Sequence, residues 1–201
     1  MLDKNTFPAE LAALPNWVVW RLEPDKNGRM AKVPYNPQKP SYKASSANPD
    51  SWGTVDEALF SMDKFIFTGV GFVFTEGCDI IGIDVDHCLD ETGKPNDVAA
   101  AILKKLPPTY IEISPSNTGL HIFLHGKLPK GGNKNSKTGV EMYAKSRYFT
   151  MTGNRYSNCV YIMANDNGVI DFIHTNFITP GRKNKAQTLV LLFPLIMRFA
   201  H

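Results

Sequence analysis

The sequence predicts an α+β fold, rich in strands and joined mostly by short connections. Three observations predict it. Short apolar segments with alternating faces recur along the chain, bounded by Gly, Pro, Asn and Ser clusters. Two longer stretches carry helix start and stop signals. No internal repeat of 20–50 residues is present, which excludes solenoids and propellers. The length of 201 residues fits one domain with a short appendage.

Taken in order, Phe7–Leu14 reads as a short helix. Trp17–Leu22 and Met30–Pro34 read as strands joined through Asp25-Lys26-Asn27-Gly28, where Asn-Gly between apolar runs is a hairpin signal. These three elements make an N-terminal αββ unit. Asn36–Asp50, dense in Pro, Ser and Asn, is an irregular loop. Thr54-Val55-Asp56-Glu57 is a capping box, with Thr54 as N-cap and Glu57 three residues on, opening a helix to about Lys64. Val70–Phe74 and Asp79–Val85 are strands expected to lie side by side. Asn96–Leu106 is a helix, with Val98, Ile102 and Leu106 on one face and Pro107-Pro108 as its stop. Strands follow at Tyr110–Ile113, Gly119–Leu124, Val140–Tyr143, Tyr148–Met151 and Val160–Met163, then a helix over Val169–Phe177.

Composition is that of an ordinary globular protein, 43% apolar and 20% charged, and the net charge is +3. That excess permits nucleic-acid binding without arguing for it, because the basic residues are spread out. Lys127, Lys130, Lys134 and Lys137 share the loop Gly126–Thr138, which reads either as a contact to template phosphates or as a solvated loop. Cys78, Cys88 and Cys159 form no Cys-x-x-Cys pair, against a disulfide framework or structural zinc. Met1-Leu2-Asp3-Lys4 opens no signal peptide, so a cytoplasmic setting is expected. Residues 1–180 are expected to form the domain. Residues 181–201 read as a basic linker (Arg182, Lys183, Lys185) and an apolar tail, expected to be a truncated or frameshifted end. That tail is too short for a membrane span of about 20 residues, and no membrane partner is expected.

The chemistry concentrates in three segments. Ile80-Ile81-Gly82-Ile83-Asp84-Val85-Asp86-His87 reads as a buried strand ending in two carboxylates. Alternation places Ile81, Ile83 and Val85 on one face and Asp84 and Asp86 on the other. Two carboxylates about 4 Å apart repel by roughly 1–4 kcal/mol, depending on dielectric. A divalent cation between them removes that repulsion, and oxygen donors suit Mg²⁺ or Mn²⁺. A solvated Asp-x-Asp at a strand end is the plainer alternative. His87 falls on the Ile side and reads as structural. In the second segment, Ser114-Pro115-Ser116-Asn117-Thr118-Gly119 turns into a strand with His121 and Phe123 on one face. Turn N–H groups can form an anion nest, and an adjacent His can contact phosphate. A hairpin with a buried, satisfied His would look the same. The third segment is Gly139-Val140-Glu141-Met142-Tyr143, with Glu141 and Tyr143 on one face, followed by Arg147-Tyr148-Phe149-Thr150.

In this order the segments resemble the catalytic domain of the archaeo-eukaryotic primase superfamily, more narrowly the primase-polymerases of phages, prophages and plasmids. The superfamily pattern of hydrophobics with Asp-x-Asp, small-x-His and hydrophobic-acid stands here as Ile83-Asp84-Val85-Asp86, Gly119-Leu120-His121 and Val140-Glu141. Flanks also match, including Lys32-Val33-Pro34-Tyr35-Asn36-Pro37, Ser51-Trp52, Gly71-Phe72-Val73-Phe74-Thr75 and Arg147 to Gly153. The likeness spans roughly Leu11 to Phe177.

That resemblance implies an RRM-like open sheet, mixed or antiparallel, with flanking helices and the active site on its exposed face. It implies a nucleotidyltransferase, a DNA primase or polymerase, with Asp84, Asp86, His121 and Glu141 as catalytic residues. Asp84, Asp86 and Glu141 would hold Mg²⁺ or Mn²⁺. Ser116, Gly119, His121, Arg147 and Lys32 would meet the nucleotide, and Tyr143 would border the sugar. The expected partners are a single-stranded DNA template, NTP or dNTP substrates, and a replicative helicase acting in trans or as a missing downstream domain. Two rivals stand beside this reading: an inactive single-strand or origin-binding module, and a metal-dependent nuclease using the same acids.

Overall fold

The computed structural model describes residues 2–165 and 167–179. The predicted tail, 181–201, lies outside the described residues. Within them the expected α+β class is found, with largely antiparallel sheets and few helices, compatible with an RRM-like primase fold.

The N-terminal αββ unit forms as predicted, with a shorter helix. α1 covers only Ala9–Ala12, starting after Pro8 and ending before Leu14-Pro15, since a residue preceding proline avoids helical geometry. Strands β1 (Trp17–Pro24) and β2 (Met30–Tyr35) pair through the turn. The Asp25 carboxylate accepts from the N–H groups of Asn27 and Arg29, at 2.8 and 2.9 Å, and Gly28 takes a left-handed φ of 77°. Helix α2 (Val55–Lys64) carries the predicted capping box: Thr54 Oγ1 accepts from Glu57 N–H, and Glu57 Oε2 accepts from Thr54 N–H.

β3 (Gly69–Phe74) and β4 (Ile80–Val85) do not lie side by side. They belong to different sheets, separated by a turn in which Asp79 adopts φ 49°. The first sheet has the order β2-β1-β3-β9, where β9 is Arg147–Met151, and is wholly antiparallel. The second is built on β4 and contains β5 (Ile111–Ile113), β6 (Leu120–His125), β7 (Lys134–Asn135), β8 (Val140–Tyr143) and β10 (Met163–Ala164). Its order is β10-β6-β4-β8-β7. β5 and β10 follow each other along one edge of β6: β5 pairs with Leu120–Ile122 in antiparallel fashion, β10 with Leu124–His125 in parallel. The strand expected at Val160–Met163 is thereby reduced to a two-residue ladder. β7 arises inside the lysine loop, where no strand is predicted.

The second sheet is the middle layer. Ile81, Ile83, Val85, Leu120, Ile122, Leu124, Val140 and Met142 face α3 (Asp97–Lys105) and α4 (Val169–Ile173), burying against Ile102, Ile170 and Ile173. α4 is followed by a wider π-helical turn, His174–Ile178, where sequence predicts continuous helix to Phe177. The opposite face presents Ile80 and Phe123 to Phe72, Phe74, Phe149 and Met151 of the first sheet. Gly82 makes that approach possible. A Cβ there would overlap the Phe74 ring and come within 2.7 Å of Phe149. The far side of the first sheet is covered by the irregular loop and by Trp52 just after it, which packs on Val18 and Val73 and donates Nε1–H to Ser45 O at 2.8 Å.

Candidate active site

Strand register assembles the site. Asp84 on β4 stands opposite His121 on β6 and opposite Glu141 on β8. His121 stands opposite Glu112 on β5, and Glu141 opposite Lys134 on β7. Residues paired directly across strands have Cβ atoms about 4.5–5.5 Å apart. The second sheet therefore carries one lateral row, Glu112–His121–Asp84–Glu141–Lys134, just beyond the aromatic contact with the first sheet. Three residues that lie far apart in the chain and share no local signal are neighbours because their strands alternate apolar-down and polar-up in step.

Asp84 sits at the centre of this row. Its side chain is 17% exposed, and among the described residues Oδ1 is buried without a hydrogen-bond partner. Burial, reinforced by the negative charges of Asp86 and Glu141, pushes its pKa up to about 6 against the pull of His121 and Lys32. His121 Nε2 lies 3.8 Å from Asp84 Oδ1, too long for a hydrogen bond. Glu141 accepts from Tyr143 OH at 2.7 Å, and Arg147 Nη2 stands 3.6 Å from the same oxygen. Burial, and then that bond to Glu141, push the Tyr143 hydroxyl up to about 12. The Arg147 guanidinium lies over the Tyr143 ring, 4.8 Å from its centroid.

The first sheet closes the site from the other side. A cleft of about 280 Å³ is bordered by Asp84 and His121 from the second sheet and by Lys32, Arg147, Tyr148 and Thr150 from the first. Lys32 is held by its backbone: Tyr148 OH donates to Lys32 O at 2.6 Å. The cleft thus joins one carboxyl group in need of positive charge to several proton-donating or cationic side chains.

Four of the predicted residues, Asp84, His121, Arg147 and Lys32, border this cleft. Glu141 adjoins it through the Asp84 pairing. Asp86 is exposed just past the end of β4, where its N–H donates to Gly139 O at 2.9 Å, and its charge still reaches Asp84. Ser116 and Gly119 lie in the turn beside that strand end. Ser116 Oγ bonds Ser114 and Thr118, and a Cβ on Gly119 would come within 3.0 Å of Val85 O. His87 does not face the apolar layer. A left-handed φ of 48° turns it outward, with Nδ1 3.5 Å from Thr118 Oγ1. A larger cavity, about 520 Å³, opens at the opposite end of β4 and is bordered by Lys127, Lys130 and Lys145.

The residue missed in the sequence is Glu112. It is fully buried, and Oε1 lies 3.2 Å from His121 Nδ1. Its signal was present: an acid between Ile111 and Ile113, on the opposite face of a short strand. Among the described residues no group of three or more His, Cys, Asp or Glu side chains is closed to metal-holding distance. The bare Asp84 oxygen, repelled by the charges of Asp86 and Glu141, is one that either a proton or a bound cation would relieve, and these three acids are the residues that could hold such a cation.

No family model matches the chain. Over 147 residues, 71% of its length, it is 39% identical to a protein of Nitratiruptor phage NrS-1 named DNA Primase-polymerase. The chain spans 20% of that relative. Among the described residues no helix is long and apolar enough to cross a membrane. Across those 147 residues, then, the chain is similar to a phage primase-polymerase.

Proposed function

We propose that the chain catalyses template-directed nucleotidyl transfer in DNA synthesis, dependent on a divalent cation. The observation that carries this reading is the row Asp84–Glu141–His121, with an unpartnered buried carboxylate oxygen, on a chain related to a phage primase-polymerase. In this reaction a 3′-hydroxyl attacks the α-phosphorus of a nucleoside triphosphate and pyrophosphate leaves. Positioning and charge neutralisation supply most of the rate. Asp84, Asp86 and Glu141 would hold Mg²⁺ or Mn²⁺. The bound ion would supply charge neutralisation on the phosphates and acidify the attacking hydroxyl. His121, Lys32 and Arg147 border the cleft and would meet the triphosphate. Tyr143 fixes the Glu141 carboxylate and leaves its other oxygen for the cation. The template is single-stranded DNA, and the helicase that supplies it acts in trans or from a further domain.

The test is nucleotide incorporation on primed and unprimed single-stranded DNA with Mg²⁺ or Mn²⁺. Metal-dependent products should appear and fall by at least about 10²–10³-fold in Asp84→Ala/Asp86→Ala, the loss usual for an electrostatic stabiliser. Products on unprimed template establish a primase. Retained single-strand binding without product replaces this reading by a binding module, and template degradation replaces it by a nuclease. His121→Ala should weaken nucleotide binding more than metal binding. Unchanged nucleotide affinity would remove His121 from the triphosphate site.

A further inference from the structure

Glu112 is buried in a way that carboxylates seldom are. It has no exposure at all, and both oxygens are fully engaged. Oε1 accepts from Thr152 N–H at 3.1 Å and faces His121 Nδ1 at 3.2 Å. Oε2 accepts from Tyr110 OH at 2.8 Å and from Gly153 N–H at 3.1 Å. A glutamine would fit less well, since either orientation sets an amide hydrogen against the N–H of Thr152 or of Gly153. The two backbone donors come from the residues just past the end of β9, so the same carboxylate also ties the first sheet to the second.

We infer that Glu112 is a positioning residue for the active site: it keeps a proton on His121 Nδ1 and so turns Nε2 toward the cleft beside Asp84. Thr152 N–H, Gly153 N–H and Tyr110 O–H all point at this carboxylate, which therefore acts as an acceptor, and the proton between the two side chains belongs to the ring. The ring plane is set from its other side by Phe149, whose centroid is 4.9 Å away at a 31° tilt. Nδ1 being committed, Nε2 alone faces Asp84 and an incoming ligand. A carboxylate behind an active-site His fixes both its tautomer and its orientation. The effect on rate rests on the nucleotidyl-transfer reading; the tautomer does not.

The experiment therefore has two readouts on the full chain. Long-range ¹H–¹⁵N correlation spectra of histidine-labelled protein report which ring nitrogen of His121 carries the proton, the signals being identified by their loss in His121→Ala. A proton on Nδ1 in the wild type, redistributed in Glu112→Gln, is the expected result. A neutral ring protonated on Nε2 alone, or spectra unchanged by Glu112→Gln, overturns the inference. In the incorporation assay Glu112→Gln should lose about 10- to 100-fold, the usual penalty for removing such a carboxylate. Tyr110→Phe removes one donor from Oε2, leaves the His121 contact in place, and should stay within a few-fold of wild type. Equal losses in both variants would mean a loosened core rather than a positioned ring, and would also overturn it. If Glu112→Gln does not fold, the wild-type spectrum decides. A wild type without product refutes the proposed function and leaves the spectrum to judge Glu112.

Discussion

Asp84 is held where its charge is unwelcome. Its pKa of about 6 lies above the 3.8 of an unhindered aspartate, so the folded protein favours the protonated form more than the unfolded chain does. The sign follows directly. Below pH 4 both states are protonated and Asp84 costs nothing. As pH rises toward 6 the unfolded chain releases its proton first, and folding loses stability, by about 3 kcal/mol at most for a gap of this size. Asp84→Asn should therefore be inactive yet more stable than wild type at pH 7–8, by about 1–3 kcal/mol. That advantage should vanish as pH falls to 4, as followed by urea unfolding in chelator. Adding Mn²⁺ should raise the melting temperature of the wild type and leave that of Asp84→Asn unchanged. A wild type indifferent to Mn²⁺ would refute the proposed cation site.

At the scale of elements, β4 both carries the acid and receives the first sheet, and Gly82 is where the two duties meet. Gly82→Ala puts a methyl into the space of Phe74 and Phe149. Overpacking of that kind destabilises by about 1–3 kcal/mol, measurable as a lower urea midpoint with unchanged slope. Because Asp84 lies two residues on, incorporation should fall as well. Elements whose signals are local were legible in the sequence. The Thr54–Glu57 capping box, the Asp25–Gly28 hairpin and the alternating faces of β4, β6 and β8 all lie within a few neighbouring residues. The division into two sheets was not legible. It depends on the left-handed Asp79, a conformation no apolar periodicity records. β7 hides in a Gly- and Asn-rich loop and exists only because β8 offers it an edge. Glu112 escaped for a related reason, since its donors at Thr152 and Gly153 come from distant chain. The turn around Ser116 and Gly119 could be read as a turn, but not as one that bonds chiefly to itself and to the end of β4.

Across the whole molecule the cleft exists only while two sheets stay docked. Lys32 comes from β2, and its backbone at the cleft is tied by the bond from Tyr148 on β9, which reaches across the sheet over Gly71. Tyr148→Phe removes that bond alone. Stability should fall by about 0.5–1.5 kcal/mol, and nucleotide should bind roughly 2- to 10-fold more weakly, as read by melting and by titration. Unaltered nucleotide affinity would show that Lys32 holds its place unaided. The lateral row of charges has a consequence for how the chain assembles. Slipping any of β5, β6, β4 or β8 by one residue turns its side chains to the other face. Asp84 or Glu112 would then enter the aliphatic layer around Ile102 and Ile170, and Ile83 or Ile113 would surface among the acids. An unpaired charge in such a layer is strongly unfavourable. The residues proposed to hold the cation and to position His121 therefore also proofread the alignment of their own strands, and a chain that misthreads cannot settle into a stable, empty copy of the fold.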